Sequence, residues 1–373
     1  MRHYYSRVGR HQGNWEFQRI DHAARSGIRE MATEYLGILH RQDPLFDFLA
    51  REILEKRLGV TRQTVFDVSR LDADIPNWSI FHYVERRTSV QLVGKFFGNK
   101  WLHNGHDGDL RYRAMLMRRE FDNLQRLRDI GFDAGRHQVV RPLGMSEAIN
   151  CVLIEAFVSG CDLRVAISKA CRQGKGDTLR AQLTEVARFL AVLHGQATPS
   201  KPLSQDVPLG CLDEISQHLL EQRVVSADQH WSFKRLCERW AQSGLLGMGQ
   251  KVLTHGDVGP AHFMFNWQGV MTVLDFESLT EGDPAADLGQ MAAALKHRFF
   301  WHCGDIWAGE PYIQHLYRHY ARFVGADADQ FVALTTRGRF HMASQLASIG
   351  QNRWLNPEYR RRLIADAEEI LEI

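Results

Sequence analysis

Two acidic residues stand beside short apolar runs, where a simple hydrophobic core would avoid them. Asp257 follows the apolar pair Val252-Leu253 closely, and Asp275 ends the apolar run from Met271 to Leu274. A carboxylate at the mouth of a buried strand is costly unless a cation or a hydrogen-bond network meets it. Phosphoryl transfer needs such a pair, with one carboxylate to receive the nucleophile's proton and another to hold a metal on the phosphates.

Each of these residues alone would also suit a turn, because Asp257 precedes Gly259-Pro260 and Asp275 ends a strand. Because Asp257, Asp275 and Asp287 occur in register with one another, a catalytic role is favoured over a turn role. The motifs His255-Gly256-Asp257, Asp275-Phe276-Glu277 and Gly282-Asp283-Pro284-Ala285-Ala286-Asp287-Leu288 together resemble those of the aminoglycoside phosphotransferase and choline kinase family. These are small-molecule kinases with the protein-kinase-like fold. The resemblance implies Asp257 as catalytic base, Asp275 as metal ligand, and His255 and Asp287 as structural support of the site.

His262 lies five residues after Asp257, where the family usually carries Asn as a second metal ligand. Mg²⁺ prefers oxygen ligands, whereas imidazole suits softer divalent ions. Three roles stay open for His262: a nitrogen ligand of the metal, a hydrogen-bond partner of a metal-bound water or phosphate, or a residue that orients Asp257. The expected cofactors are ATP or another nucleoside triphosphate and Mg²⁺, with Mn²⁺ as the alternative because of His262.

Lys95 stands between apolar residues of a predicted strand, and a buried ammonium needs a partner. The resemblance implies that Lys95 contacts the nucleotide phosphates and pairs with a helix glutamate, for which Glu120 is the nearest candidate. An edge-strand lysine that prevents aggregation is the competing interpretation, and Lys100 is a weaker alternative. Glu155 and Phe157 lie in the segment that resembles the hinge beside the adenine.

No Walker-type phosphate loop occurs in the sequence. The resemblance implies that residues Asp72 to Trp78 form a glycine-poor loop over the phosphates.

The order of elements predicts an α+β fold in two lobes, with a β-rich N-lobe and a mostly helical C-lobe. The resemblance implies that this bilobal fold is protein-kinase-like. Helical spacing of apolar residues from Ile28 to Leu58, ending at Gly59, predicts an N-terminal helical extension over 1–58. The N-lobe is expected over 59–155, as strands at 64–68, 79–84 and 89–97, a helix at 112–127 and further strands at 139–140 and 151–157. The helical C-lobe is expected over 156–373, with breaks at Gly304, Gly309, Gly325 and Asn356-Pro357.

Composition, charge and cysteine spacing disfavour several classes of protein. The 373 residues are 44% hydrophobic and 24% charged, with a net charge of +2 that gives no reason to expect nucleic acid as a partner. The six cysteines form no Cys-x-x-Cys pair, which disfavours structural zinc and disulfides. No apolar segment resembles a signal peptide or a membrane span. A cytoplasmic protein without a membrane partner is expected, and its oligomeric state is open.

The acceptor is expected to be a small molecule with a hydroxyl group, either a metabolite or an antibiotic. Arginines and aromatic residues are dense in the predicted acceptor region, which disfavours a polycationic aminoglycoside and favours a neutral, partly apolar or anionic acceptor. The same residues would also suit helix packing and a solvated face. They are Arg298, Arg318, Arg322, Arg337, Arg339, Arg353, Arg360, Arg361 and Arg362, with Phe299, Phe300, Trp301, Trp307, Tyr312, Tyr317 and Trp354.

Three other functions stay open: nucleotidyl transfer, a protein-directed kinase, and a nucleotide-binding pseudokinase that acts as an interaction module. The paired Asp257 and Asp275 argue against the pseudokinase, whereas His262 favours it.

Overall fold

The computed structural model describes residues 33–60, 64–71, 80–97, 110–196 and 201–372. The chain forms two units. The first contains the described residues up to Asp133 together with Val139–Cys161, and the second contains Ala134–Gln138 and the residues from Asp162 onward. The division at Cys161 lies a few residues beyond the boundary at 155 that the sequence predicts.

A six-stranded antiparallel sheet, in the order β1-β2-β3-β4-β7-β6, dominates the first unit. Its strands are β1 (Thr33–Ile38), β2 (Phe66–Leu71), β3 (Ile80–Glu85), β4 (Gln91–Phe96), β6 (Pro142–Ser146) and β7 (Val152–Ala156). Helix α3 (Leu110–Leu127) follows β4, and a π-helical turn (Arg128–Phe132) continues it. The predicted meander of β2 to β4 and the predicted helix α3 are confirmed, whereas β6 was not predicted.

The helical prediction is wrong for residues 33–38, because β1 is a strand that pairs with β2. Its apolar residues also fit helical spacing, which so short a run cannot separate from a strand. The open edge of β2 supplies the backbone partners, and the Tyr35 hydroxyl donates to Asp67 Oδ1 at 2.9 Å. A bulge at Gly37, with φ of +119°, adjusts the register. Residues 1–32 of the predicted extension lie outside the described residues.

Residues 44–58 are helical, as α1 (Pro44–Asp47), a π-helical stretch (Phe48–Glu55) and α2 (Lys56–Leu58). Gly59 ends α2 in the left-handed conformation, with φ of +68°. Leu49 and Ile53 of this segment pack into the same core as Phe66 of β2 and Ile154 of β7. The helical segment therefore closes one face of the sheet.

The second unit is mainly helical. Its helices are α4 (Leu163–Gln173), α5 (Asp177–His194), α6 (Asp206–Glu221), α7 (Ala227–Ser243), α8 (Pro284–Cys303), α9 (Glu310–Val324), α10 (Ala328–Gly350) and α11 (Pro357–Leu371). Short strands lie among them: β9 (Val252–Thr254), β10 (Phe263–Phe265), β11 (Met271–Val273) and β12 (Thr280–Gly282). Two further short strands, β5 (His137–Val139) and β8 (Cys161–Asp162), each include one residue of the first unit. Strands β10 and β11 form a hairpin, and β9 pairs with β12.

The predicted breaks in the last helical region are confirmed. Gly304 and Gly325 end α8 and α9 in the left-handed conformation, and Asn356 caps α11 ahead of Pro357. The predicted β-rich first part and helical second part are likewise confirmed. Among the helices of the described residues, none combines the length and the apolar composition needed to cross a bilayer.

Candidate active site

A tight turn after β9 carries the residues His255, Gly256 and Asp257. Gly256 has φ of +84°, and a Cβ atom there would lie 2.3 Å from the carbonyl oxygen of Ser278. Only glycine therefore fits this position without displacing the following segment. The turn brings the side chain of Asp257 to the surface of the second unit while His255 stays fully buried.

Asp287, in the first turn of α8, fixes this loop. Its carboxylate accepts the backbone N–H of His255 at 2.8 Å, the backbone N–H of Gly256 at 3.0 Å, and Nε2–H of His194 at 3.0 Å. Burial alone would raise the pKa of the Asp287 carboxyl, but the bonds from His194 and Gly256 and the neighbouring His255 hold it below its usual value. Asp287 is therefore an ionised acceptor for three buried donors.

His255 connects the loop to the segment that carries Asp275. Its Nε2–H donates to the carbonyl of Leu274 at 3.1 Å, which leaves Nδ1 to accept the Asp257 N–H at 3.4 Å. Burial first, and then the neighbouring His262, lower the pKa of His255, so that its ring is neutral near pH 7. The ring also packs on Phe276, with ring centroids 4.4 Å apart.

The side chains of Asp257, His262 and Asp275 converge, with one oxygen or nitrogen atom from each lying within 4.8 Å of the other two. His262 ends a 3₁₀ turn (Pro260–His262), and its Nδ1–H donates to the carbonyl of Asp257 at 2.9 Å. In the neutral ring the lone pair is then on Nε2, which lies 3.5 Å from Asp275 Oδ2. Asp275 itself has φ of +67°, a left-handed conformation uncommon for a residue with a side chain.

Lys95 and Glu120 form a buried ion pair in the first unit. Lys95 lies in β4 between β3 and β7, and its Nζ donates to Glu120 Oε2 of α3 at 2.6 Å. The side chain of Glu120 is fully buried and that of Lys95 is 12% exposed. This contact excludes the solvated edge-strand lysine, because β4 is an inner strand and the ammonium is paired.

Glu155 and Phe157 belong to the same unit. Glu155 of β7 lies opposite Val93 of β4, which places it on the same face of the sheet as Lys95. The ring of Phe157 stacks on His82, with centroids 4.2 Å apart and planes 24° from parallel. The predicted phosphate loop, Asp72 to Trp78, and the alternative lysine, Lys100, lie outside the described residues.

Comparisons with known proteins identify the family. The model of the phosphotransferase enzyme family matches residues 106–334, more than half of the chain. The chain belongs to the phosphotransferase enzyme family. The predictions of this family and of a small-molecule kinase are thereby confirmed. A search among curated protein sequences finds no match.

Solved structures show the fold of this phosphotransferase. A streptomycin–ATP ternary complex of APH(2'')-IIa is similar at 12% identity with a TM-score of 0.54, over 90% of this chain and 100% of that one. ADP-bound aminoglycoside phosphotransferase APH(2'')-Ib is similar at 15% identity with a TM-score of 0.51, over 86% and 95%. Choline kinase LicA from Streptococcus pneumoniae is similar at 14% identity with a TM-score of 0.51, over 85% and 97%. The predicted protein-kinase-like fold is confirmed.

Two residues outside the recognised motifs support the loop that carries Asp257 in this phosphotransferase. His194 ends α5 and donates to Asp287, while its Nδ1 accepts from the Tyr320 hydroxyl at 2.7 Å. Gln290 of α8 accepts the Val258 N–H at 2.8 Å and donates to the Gly256 carbonyl at 3.0 Å. Gln290 lies three residues after Asp287 and thus on the same helix face, which is a signal that could have identified it.

A further ion pair fixes the start of α8, which carries Asp287. Asp283 caps this helix by accepting the Ala285 N–H at 2.9 Å, and it also accepts Nε–H of Arg337 at 2.9 Å. Burial would raise the pKa of Asp283, but His341 and Arg337 hold it below its usual value. Arg337 thus has a structural partner within the second unit.

The residues around Asp275 fit a divalent ion. A carboxylate oxygen of Asp275 and Nε2 of His262 lie 3.5 Å apart, and opposite ligands of an octahedral ion with bonds of about 2 Å lie about 4 Å apart. The Nε2 lone pair of His262 points to the Asp275 side, and the backbone carbonyl of Asp257 fixes the ring, as supporting contacts of a metal-bound histidine do. Asp275 and His262 would hold the ion, and Asp257 lies beside it.

Proposed function

We propose that this phosphotransferase is an ATP-dependent kinase that transfers the γ-phosphate to a hydroxyl group of a small molecule. The convergence of Asp257, His262 and Asp275 within 4.8 Å carries the proposal. This arrangement puts a free carboxylate, suited to proton transfer, beside a pair of side chains suited to a divalent ion.

Asp257 would act as the base. The acceptor oxygen forms a bond with the γ-phosphorus, the bond from that phosphorus to the β,γ-bridging oxygen breaks, and the hydroxyl proton passes to the Asp257 carboxylate. The role requires a carboxylate that is accessible yet held in place. Asp257 is exposed, while its backbone is held by His255 Nδ1 and by His262. His255, Asp287 and Gln290 would therefore act as positioning residues.

Lys95 would contact the nucleotide phosphates, with Glu120 holding its ammonium in place. Glu155 and Phe157, which end β7 and begin the following segment, would lie near the adenine. Asp275 and His262 would hold Mg²⁺ or Mn²⁺, and a bound ion would neutralise charge on the phosphate oxygens. The nucleotide complexes of similar phosphotransferases contain ATP, ADP or GDP, which supports a purine nucleotide as the donor, and ATP is the one we propose.

A small hydroxyl compound is the acceptor we propose. Several of the arginines that favoured an anionic acceptor already have structural contacts: Arg337 pairs with Asp283, Arg339 donates to the Ile370 carbonyl at 3.1 Å, and Arg360 donates to the Gly350 carbonyl at 2.7 Å. Their charges are therefore engaged in helix packing. The names of the compared structures include streptomycin and choline kinase, which supports an acceptor of small size.

The test is turnover of ATP or GTP with Mg²⁺ or Mn²⁺ against a panel of metabolites and antibiotics, followed by mass spectrometry of the acceptors. A phosphate-sized mass increase supports the proposal, and a nucleotide-sized increase would show nucleotidyl transfer instead. Nucleotide binding without turnover on any acceptor would favour a pseudokinase.

Asp257→Asn tests the base within the same assay. We expect a loss of at least about a hundredfold in kcat with ATP affinity retained, because only the proton acceptor changes. Asp329→Asn, at an exposed position in the first turn of α10, is the matched control. Turnover in Asp257→Asn close to that of the control would refute the assignment of the base.

A further inference from the structure

Three arginines line one cavity of about 330 Å³ within the first unit. Arg57 comes from α2, Arg128 begins the π-helical turn after α3, and Arg141 directly precedes β6. Asp129 and Gln125 complete the polar part of the lining. None of these residues belongs to the proposed catalytic machinery.

The cavity has a strong excess of positive charge. Three guanidinium groups face a single carboxylate, that of Asp129, which leaves a net charge of +2 on the lining. Arg57 and Arg141 are exposed, and neither forms an ion pair with any residue in the described ranges. Guanidinium groups that share a concave site and outnumber its acidic groups attract an anion.

Of the three arginines, Arg128 is held in place by hydrogen bonds to the backbone. Its Nη1 donates to the Val139 carbonyl at 2.9 Å and its Nη2 to the Asp133 carbonyl at 3.2 Å. A guanidinium carries five N–H donors, so three remain for a ligand. Burial first, and the neighbouring Arg141 in addition, lower the pKa of Arg128, which the nearby Asp133 opposes. Two guanidinium groups therefore repel each other here, and a bound anion would relieve that repulsion.

We propose that this cavity binds the phosphate group of a small phosphomonoester. Such a group carries about two negative charges near neutral pH, which matches the net charge of the lining. Its three terminal oxygens suit three guanidinium groups, because each can accept a paired or forked contact. A carboxylate supplies one charge and two oxygens, and would leave one arginine without a partner.

The size of the cavity favours a small ligand. Pockets for small molecules have volumes of about 300–1,000 Å³. The cavity of about 330 Å³ lies at the small end of that range, yet exceeds what a phosphate ion alone fills. A phosphorylated metabolite with a short carbon chain would place its phosphate among the arginines and its remainder against Pro142.

Calorimetric titration of the full chain with glycerol phosphate and with inorganic phosphate tests the proposal. Ionic strength is held constant with potassium chloride, because screening weakens all charged contacts. We expect saturable binding of glycerol phosphate. Tighter binding of glycerol phosphate than of inorganic phosphate would identify a metabolite as the ligand, and equal affinities would identify free phosphate at the same site. Absence of binding of both probes would overturn the proposal.

Arg57→Gln and Arg141→Gln locate the site. Each removes one guanidinium from the cavity, and we expect a loss of affinity of about tenfold or more. Arg87→Gln is the control, since Arg87 is an exposed arginine of the same unit outside the cavity, and it should change the affinity by less than about twofold. Both cavity positions are exposed, so at least one variant should fold. Equal affinities in the control and the cavity variants would contradict the assignment.

The nucleotide site could also attract phosphate, and Lys95→Met separates the two sites. We expect glycerol phosphate to bind Lys95→Met as it binds the unaltered protein, because Lys95 does not line the cavity. Loss of binding in Lys95→Met, or binding of a phosphoserine peptide in place of glycerol phosphate, would show that the cavity is not a site for a small phosphomonoester.

Discussion

The substitution Asp287→Asn examines how one buried carboxylate holds the loop from His255 to Asp257. Asp287 Oδ2 accepts from the His255 N–H and from His194 Nε2, while Oδ1 accepts from the Gly256 N–H. An asparagine has one acceptor oxygen and one amide group that donates. At least one buried donor must then face another donor without an acceptor.

The expected loss follows from these three bonds. One buried donor without an acceptor costs about 1–3 kcal/mol. The remaining two bonds lose the charge of the acceptor, and charged hydrogen bonds exceed neutral ones by about 1 kcal/mol each. Allowing for partial relaxation, we expect Asp287→Asn to lower the free energy of unfolding by about 2–5 kcal/mol. That is a large part of the stability of an ordinary domain, about 5–15 kcal/mol.

Urea unfolding followed by tryptophan fluorescence and by circular dichroism measures this loss. Asp329→Asn, an exposed change of the same chemistry, should alter the unfolding free energy by less than about 0.5 kcal/mol. Phosphoryl transfer by Asp287→Asn should also fall, because the Asp257 backbone follows the loop. Unfolding free energies that agree between Asp287→Asn and Asp329→Asn would refute the reasoning.

The dependence of the free energy of unfolding on pH gives a second test of the role of Asp287. The folded pKa of Asp287 lies below its unfolded value of about 3.9. The unfolded chain therefore binds the proton first as pH falls, and the contribution of Asp287 is present above about pH 4 and is lost as pH falls through the folded pKa. Below about pH 4 the difference in stability between the unaltered protein and Asp287→Asn should shrink. A constant difference across this range would contradict the assignment.

Further predictions concern the loop and the two residues proposed to hold a metal ion. Gly256→Ala should reduce both stability, by about 2 kcal/mol or more, and kcat, because φ is +84° and the added Cβ meets the Ser278 carbonyl at 2.3 Å; wild-type values in thermal unfolding and turnover would contradict this. Asp275→Ala should weaken nucleotide affinity at least about tenfold with Mg²⁺ and leave the metal-free affinity unchanged in calorimetry; equal losses in both conditions would argue against a ligand role. His262→Asn should lower activity with Mn²⁺ more than with Mg²⁺, because it exchanges a nitrogen ligand for oxygen; equal losses with both ions would assign His262 to orienting the loop.

The sequence predicts the elements of this protein well where local signals are strong. Glycine ends helices at Gly304 and Gly325, and Asn356-Pro357 begins the last one, because caps depend on neighbouring residues alone. Strand β1 was not predicted, because local signals do not determine its conformation. Its conformation depends on the edge of β2, about thirty residues later, and not on its own residues.

The candidate site also contains residues that the sequence predicts and contacts that it does not. Residues from His255 to Asp287 form one motif with fixed spacing, so their types suggested chemistry before their contacts were known. His194 reaches Asp287 across 93 positions of the chain, and a histidine at the end of an amphipathic helix carries no mark of such a partner. The tautomer of His262 likewise cannot be predicted from the sequence. Only the carbonyl of Asp257, at 2.9 Å, shows which nitrogen faces Asp275.

Strand β1 also has a consequence for self-association. It covers the edge of β2, so that the backbone groups of β2 are paired on both sides. A chain shortened to begin after Ile38 would present that edge to solvent, and a second copy could pair with it. The bulge at Gly37 interrupts the regular ladder of β1, which makes this strand, outermost on its side of the sheet among the described residues, a poor template for another chain. Six residues that take no part in the proposed chemistry thereby protect the β2 edge of the sheet from pairing with another molecule.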